Sequence, residues 1–224
     1  MKALIFDSGT LINLSMNGLL DILPALQKKL NGKFLITKEV KYEIVDRPVD
    51  IHRFELGALK IQNLIDSKVL EMPESMGIRS EKITNETKEL MDVANHFLQI
   101  KDRWLKIVSE AEMSCLALST ELINRGIENI IAIDERTTRI LAEMPGNLEK
   151  LMSERLHMTV HLVAKNFEIF SKYKFIRSSE LVYVAYKKNL IDIKGKKVLE
   201  ALLYATKFKG AAISFEEIDI LKKL

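Results

Sequence analysis

A single cysteine, Cys115, stands among 224 residues. It leaves no internal disulfide and no zinc cluster built on cysteine. Glycine and proline are sparse, at 9 and 4 residues, which excludes collagen-like and low-complexity chains. Long apolar runs are missing. The longest, Leu181–Tyr186, has six residues, against about 20 for a bilayer-spanning helix. The opening MKALIFD meets Asp7 before a signal-like stretch can form, so no secretory leader is expected. An excess of one charge is missing too: 34 Lys+Arg face 31 Asp+Glu, a net +3, too little to name a partner. What is present is a chain 47% hydrophobic and 29% charged, too apolar for disorder. At about 100–200 residues per domain, the expectation is one soluble, cytoplasmic domain with no membrane partner.

Four short runs read as buried parallel strands: Ala3–Phe6, Phe34–Ile36, Asn129–Ile133 and Lys174–Ile176. Each is rich in branched or aromatic residues and bounded by polar ones, as suits strands covered on both faces. Met158–Val163 is a weaker fifth candidate, and Val69–Leu70 a candidate edge piece. Helical periodicity fills the intervals. Leu19, Ile22, Leu23 and Leu26 share a face that Pro24 is expected to kink; Val40 and Ile44 begin another. Leu90, Ala94, Phe97 and Leu98 follow i, i+4, i+7, i+8. Ser109–Glu112 and Ser214–Glu217 have the spacing of capping boxes, and Gly126 that of a helix stop. Strands alternating with helices imply an α/β fold, a three-layer α/β/α sandwich around a mostly parallel sheet. The boundaries expected are one domain over 1–190 with a helical insertion at about 57–105, extended by C-terminal helices over 191–224.

In an open parallel sheet, ligands sit beyond the carboxyl ends of the strands. Asp7 follows the first strand directly, and Asp134 and Glu135 follow Ile130–Ile133. Glu43 lies about two turns into the helix after Phe34–Ile36. Glu110 and Glu112 open the helix that precedes Ile130–Ile133. Each has a purely structural reading: Asp7 and Asp134 as N-caps, Glu112 as the return member of the Ser109 box, Glu43 as a solvated residue. Their shared edge favours a cluster. Like charges that close cost stability unless a cation or positive side chain offsets them. Hard oxygen donors without His or Cys suit Mg²⁺ or Mn²⁺, and carboxylate-held Mg²⁺ typically serves phosphoryl chemistry.

Ile5–Leu11 resembles the opening motif of haloacid-dehalogenase-type phosphatases, but Ile5 stands where that motif needs its nucleophilic aspartate. A second resemblance covers more of the chain. Phe6-Asp7-Ser8-Gly9-Thr10-Leu11-Ile12, Ile36–Glu43, Ser109–Leu118 and Ile131–Arg139 resemble, in order, the acidic blocks of the PIN domains, a family of metal-dependent nucleases. The likeness spans about residues 1–47 and 106–190. Gly9 stands where many members have Ser or Thr, and Ile133 and Glu135 replace the commoner Thr and Asp. The chain is also longer than the compact toxin members.

The resemblance implies a PIN-like fold and an endoribonuclease that hydrolyses phosphodiester bonds of single-stranded RNA with a metal-activated water. Carried over by position, Asp7, Glu43, Glu112 and Asp134 are the catalytic acids. Asp7, Glu112 and the Asp134/Glu135 pair hold Mg²⁺ or Mn²⁺; either of the last two fits. Glu110, Ser178, Ser179 and Arg136 are auxiliary, with Arg139 nearby. RNA is the implied partner, and a homodimer or a protein inhibitor is compatible with it. The alternative is a catalytically degenerate module that binds RNA or protein. Lys194, Lys196 and Lys197 are candidate phosphate contacts, which would make binding salt-dependent, or else a solvated turn. His157 and His161 fall on the weak fifth strand, so no zinc role is expected of the four histidines.

Overall fold

The computed structural model describes residues 2–164 and 166–224. In chain order its elements are β1 (Lys2–Phe6), α1 (Ser8–Met16), α2 (Ile22–Leu30), β2 (Lys33–Leu35), α3 (Lys38–Lys41), α4 (His52–Asp66), α5 (Ser80–Asn95), β3 (Leu98–Ile100), β4 (Arg103–Trp104), α6 (Glu110–Asn124), β5 (Glu128–Ala132), α7 (Arg136–Glu143), α8 (Leu148–Leu156), β6 (His161–Leu162), β7 (Phe175–Ile176), α9 (Ser178–Lys187), α10 (Val198–Phe208) and α11 (Phe215–Leu221).

The four apolar runs form one parallel sheet in the order β2-β1-β5-β7. Leu4 pairs with Phe34 on one side and Ile130 on the other, and Ile131 pairs with Phe175. Both central strands are buried along most of their length, as continuous apolar runs require. Two strand expectations shift. The edge piece falls at Glu71 rather than Val69–Leu70: Glu71 N donates to Phe34 O at 2.8 Å, and Ile36 N donates to Glu71 O at 3.0 Å. Lys33 anchors it through a 2.7 Å ion pair. Of Met158–Val163 only His161–Leu162 is a strand, and it pairs antiparallel with β3 in a separate small sheet. That segment is only partly buried, so nothing drew it into the central sheet.

Helices cover both faces, giving a three-layer α/β/α sandwich. On one face α6 lies against β1 and β5, with α5 packed outside it. α6 is therefore enclosed: Ala111 and every residue from Met113 to Leu122 are buried. Glu121, inside this interface, pairs with Lys82 of α5 and with Arg125, whose other nitrogens reach the carbonyls of Met76 and Gly77. The other face carries α1, α2 and α10, each packed against α9, with α4 against α1. The segment 57–105 is thus not wholly helical. It holds most of α4, all of α5 and the β3–β4 hairpin, whose turn residues Lys101 and Asp102 both have positive φ. Pro24 does not kink α2; it sits in the first turn, where backbone N–H groups have no intrahelical acceptor.

The 191–224 segment forms α10 and α11. Val198 and Leu202 join the main core, while Leu203, Ala211, Ile213 and Ile218 build a small apolar cluster of their own. Among the described residues, no helix is long and apolar enough to cross a membrane.

Candidate active site

Each strand of the central sheet runs within three residues into a polar helix cap, Asp7, Thr37, Glu135 or Arg177, so chain direction gathers side chains at the sheet's carboxyl edge. Asp7 N donates to Ala132 O at 2.9 Å, which carries the β1 ladder one residue past its last apolar side chain. Asp7 then caps α1: its Oδ2 accepts from Gly9 N at 3.0 Å. A Cβ at position 9 would lie 3.2 Å from that oxygen, so the glycine suits this close approach. Asp7 is 3% exposed, and its Oδ1 is buried with no hydrogen-bond partner.

Glu112 is the return member of a complete capping box. Ser109 N donates to its Oε2 at 3.1 Å, and Glu112 N donates to Ser109 Oγ at 3.2 Å. Thr138 Oγ1 donates to the same Oε2 at 2.7 Å. All its hydrogen bonds fall on one oxygen, and Oε1 carries none. Asp7 and Glu112 therefore share a pattern: one carboxylate oxygen is spent on a local cap, and the other is uncommitted.

Burial pushes the Asp7 carboxyl up to about 8, and the charges of Glu112 and Glu43 add to the rise against hydrogen bonds from Gly9 and Ser8. Burial likewise raises Glu112, helped by Glu135 and opposed by Thr138 and Ser109. Asp7, Glu43, Glu112 and Glu135 thus form one chain of mutually repelling carboxylates. Cys115 lies beneath them, its thiol held well up by burial and by the charges of Asp7 and Glu112. It is a buried packing residue and a poor nucleophile.

Glu43 reaches this group by an irregular route. The α3 helix continues as a π turn over Tyr42–Asp46. Glu43 is the second residue of that turn, and such π turns are frequent at functional sites.

Asp134 and Glu135 stand differently. Asp134 is 4% exposed, and both its oxygens are taken, by Asn13 Nδ2 at 3.0 Å and Ser178 N at 2.8 Å. Burial raises its pKa, while Ser178, Asn13 and the charge of Arg139 pull it back. Glu135 caps α7, accepting from Thr138 N at 2.8 Å and Thr137 Oγ1 at 2.7 Å, with Arg155 3.7 Å away. Thr138 thus binds Glu112 through its hydroxyl and Glu135 through its amide.

The auxiliary residues divide. Ser178 acts on Asp134 through its backbone amide, and Ser179 is fully buried with no hydrogen bond to its hydroxyl. Glu110 is exposed at the first position of α6. Arg136 is exposed and makes no ion pair among the described residues; Arg139 is the arginine whose charge acts on Asp134. Lys194, Lys196 and Lys197 are exposed just before α10. Thr206, near the far end of α10, accepts from Asn13 Nδ2 at 2.9 Å. A rise of 1.5 Å per residue sets Lys197 about 14 Å from that contact, so the lysines do not adjoin the acids. His157 ends α8 with positive φ and His161 lies in β6, so the two share no strand face.

Three residues of the site were not anticipated: Asn13, Thr138 and Arg177. Asn13 is an amide inside the apolar run of α1, and Thr138 follows Glu135 at N-cap spacing. Arg177 has no local signal. It is 8% exposed and its guanidinium binds Glu180, Glu217 and Ala212 O, so that despite burial it is held further above its ordinary pKa.

Among the described residues, no group of three or more His, Cys, Asp or Glu side chains is arranged to hold a metal ion. Mg²⁺ commonly takes only one or two carboxylates and keeps several waters. Asp7 Oδ1, orphaned and buried, and Glu112 Oε1 are hard donors of that kind, so the residues fit a largely hydrated divalent cation. Comparison with models of known families, with curated proteins and with solved structures returned no match to this chain.

Proposed function

We propose that the chain is a divergent PIN-like endonuclease that hydrolyses phosphodiester bonds of single-stranded RNA with Mg²⁺ or Mn²⁺. The observation that carries this reading is the uncommitted Asp7 Oδ1, buried beside Glu112 and Glu43 at the carboxyl edge of a parallel sheet. A structural cap needs one oxygen; a second, left bare and crowded by like charge, is stabilised only by a cation or a proton. Asp7 and Glu112 would hold the metal, with Glu43 and Glu135 adding negative field. Bound there, the ion supplies Lewis-acid polarisation of a phosphoryl oxygen and lowers the pKa of water. Thr138 fixes Glu112 so that Oε1 stays available, and Gly9 does the same for Asp7 Oδ1. Asp134 acts at one remove, tying α1 to α9 through Asn13 and Ser178. The choice of RNA rests on the resemblance of the sequence blocks.

The engagement of both oxygens of Asp134 and of Glu135 favours a second reading, a module that binds RNA or protein without cleaving it. The two separate on Asp7→Asn. As a nuclease, the native chain cleaves labelled single-stranded RNA in Mn²⁺, and the variant loses about a hundredfold or more. It also loses Mn²⁺ affinity by calorimetry. No cleavage by the native chain, with RNA retained equally by both proteins, would establish the second reading.

A further inference from the structure

A cleft of about 440 Å³ opens between α7, α8 and the start of α11, bordered by Arg136, Arg139, Lys150 and Arg177. Three glutamates also line it, Glu143, Glu154 and Glu217, but they do not saturate the cations. Glu217 is taken by Arg177 at 2.8 Å. Glu154 meets Lys150 at 4.0 Å across two solvated side chains, a pairing worth little. Glu143 reaches only Arg139 Nη2, at 3.3 Å. Arg139 Nε remains buried without a partner, although its side chain is 17% exposed. Arg136 is exposed and unpaired among the described residues.

The cleft also has a fixed floor. Arg177 is locked by Glu180, Glu217 and the Ala212 carbonyl, while Ala212 N donates to Asp134 O at 3.3 Å. One wall is therefore hydrogen-bonded to the backbone of the acid edge. Arg139 bridges the two regions, since it lines the cleft and its charge acts on Asp134.

We propose that this cleft is a phosphate subsite. It would hold a backbone phosphate of a single-stranded nucleic acid by charge-assisted hydrogen bonds from Arg139 and Arg136, with Lys150 at its mouth. Arginine's planar fork suits phosphate geometry, and the part-exposed Arg139 guanidinium is held only by 3.3 Å contacts from Nη2 to Glu143. The proposal rests on the nuclease reading for its role, positioning a strand beside the acids, but not for its binding.

The test therefore measures binding without metal. A short fluorescein-labelled oligouridylate is titrated in EDTA by anisotropy over a series of salt concentrations. The native chain is compared with Arg136→Gln, Arg139→Gln and, as a remote control, Lys68→Gln. Arg136→Gln and Arg139→Gln should each weaken binding about fivefold and lower the log–log salt slope by about one, with Lys68→Gln unchanged. Arg136 is exposed, so its variant keeps its melting temperature and stands even if Arg139→Gln unfolds. Native affinity and slope in a folded Arg136→Gln would overturn the subsite, whatever the RNA then does in Mn²⁺. Arginine-dependent binding of an RNA that Mn²⁺ never causes to be cleaved would uphold the subsite while sinking the nuclease.

Discussion

At the scale of single residues, the informative contrast is between oxygens rather than between acids. Asp7 and Glu112 each spend one oxygen on a helix cap and keep one back; Asp134 and Glu135 keep none. Glu112→Gln tests the consequence. Glutamine can return the hydrogen bond of the capping box, so melting of the metal-free protein should move by no more than about 1 °C, or rise. Mn²⁺ affinity and cleavage should fall at least about tenfold, because a neutral amide is a poor ligand for a hard cation. Glu110→Gln, on the same first turn but exposed, should change neither. Equal small losses in both variants would return Glu112 to a capping role alone.

The same crowding sets a pH dependence. Asp7 moves from an ordinary carboxylate value of 3.8 to about 8 on folding, through burial and the charges of Glu112 and Glu43. The folded state thus binds the proton more tightly than the unfolded chain. Its contribution is fully present below about pH 4 and is lost as pH rises towards 8. Metal-free stability should therefore fall across that window with a slope of up to about 1.4 kcal/mol per pH unit. Glu112 and Asp134, also raised, act in the same sense. Urea unfolding from pH 4 to 8 checks it. Asp7→Asn should be more stable than the native chain at pH 8, and the gap should close towards pH 4. A native curve flat over this range would mean the carboxyl is not desolvated.

At the scale of elements, Asn13 joins two helices and a strand end. It sits on α1, donates to Asp134 after β5, and donates to Thr206 O on α10. It is fully buried. Asn13→Ala leaves Asp134 Oδ2 without its donor at about 1–3 kcal/mol, while Thr206 O keeps the amides of Lys209 and Ala211, so a loss of about 1–3 kcal/mol is expected in urea. Asn13→Asp should be worse, because it sets a second carboxylate against Asp134 in a desolvated site. A loss under about 1 kcal/mol for Asn13→Ala would show that water replaces the amide. The π turn at Tyr42–Asp46 is the other irregular element near the site, and it carries Glu43, whose charge acts on Asp7.

At the scale of the whole molecule, the positive charge is divided. Arg136, Arg139, Lys150 and Arg177 border the cleft next to the acid edge, while Lys194, Lys196 and Lys197 lie at the opposite end of α10. On the nuclease reading, a substrate strand would meet the second group well away from the acids. Lys196→Glu with Lys197→Glu should therefore weaken RNA binding about threefold to tenfold and flatten its salt dependence. Turnover at saturating RNA should be unchanged. Unchanged binding across a salt series would make this cluster an ordinary solvated turn.

Much was legible in the chain because it depends on neighbours a few residues away. Buried strands declare themselves as short apolar runs, and all four central ones lie within a residue of their expected limits. Caps are local chemistry, so the Ser109 and Ser214 boxes and the Gly126 stop are readable from spacing. Asp7, Glu112 and Asp134 at one sheet edge follow from strands that all run parallel. The division of labour among those acids could not be read, because it depends on partners more than 20 residues away: Asn13 and Ser178 for Asp134, Thr138 for Glu112. The failure of Pro24 to kink α2 turned on where the helix began, and the fate of Met158–Val163 on how little of it was buried. Sequence alone determined which oxygens arrive at the edge. Only tertiary packing decided which of them are satisfied there, because a carboxylate's partners are chosen by distance in space and by desolvation, and neither is written in the order of the chain.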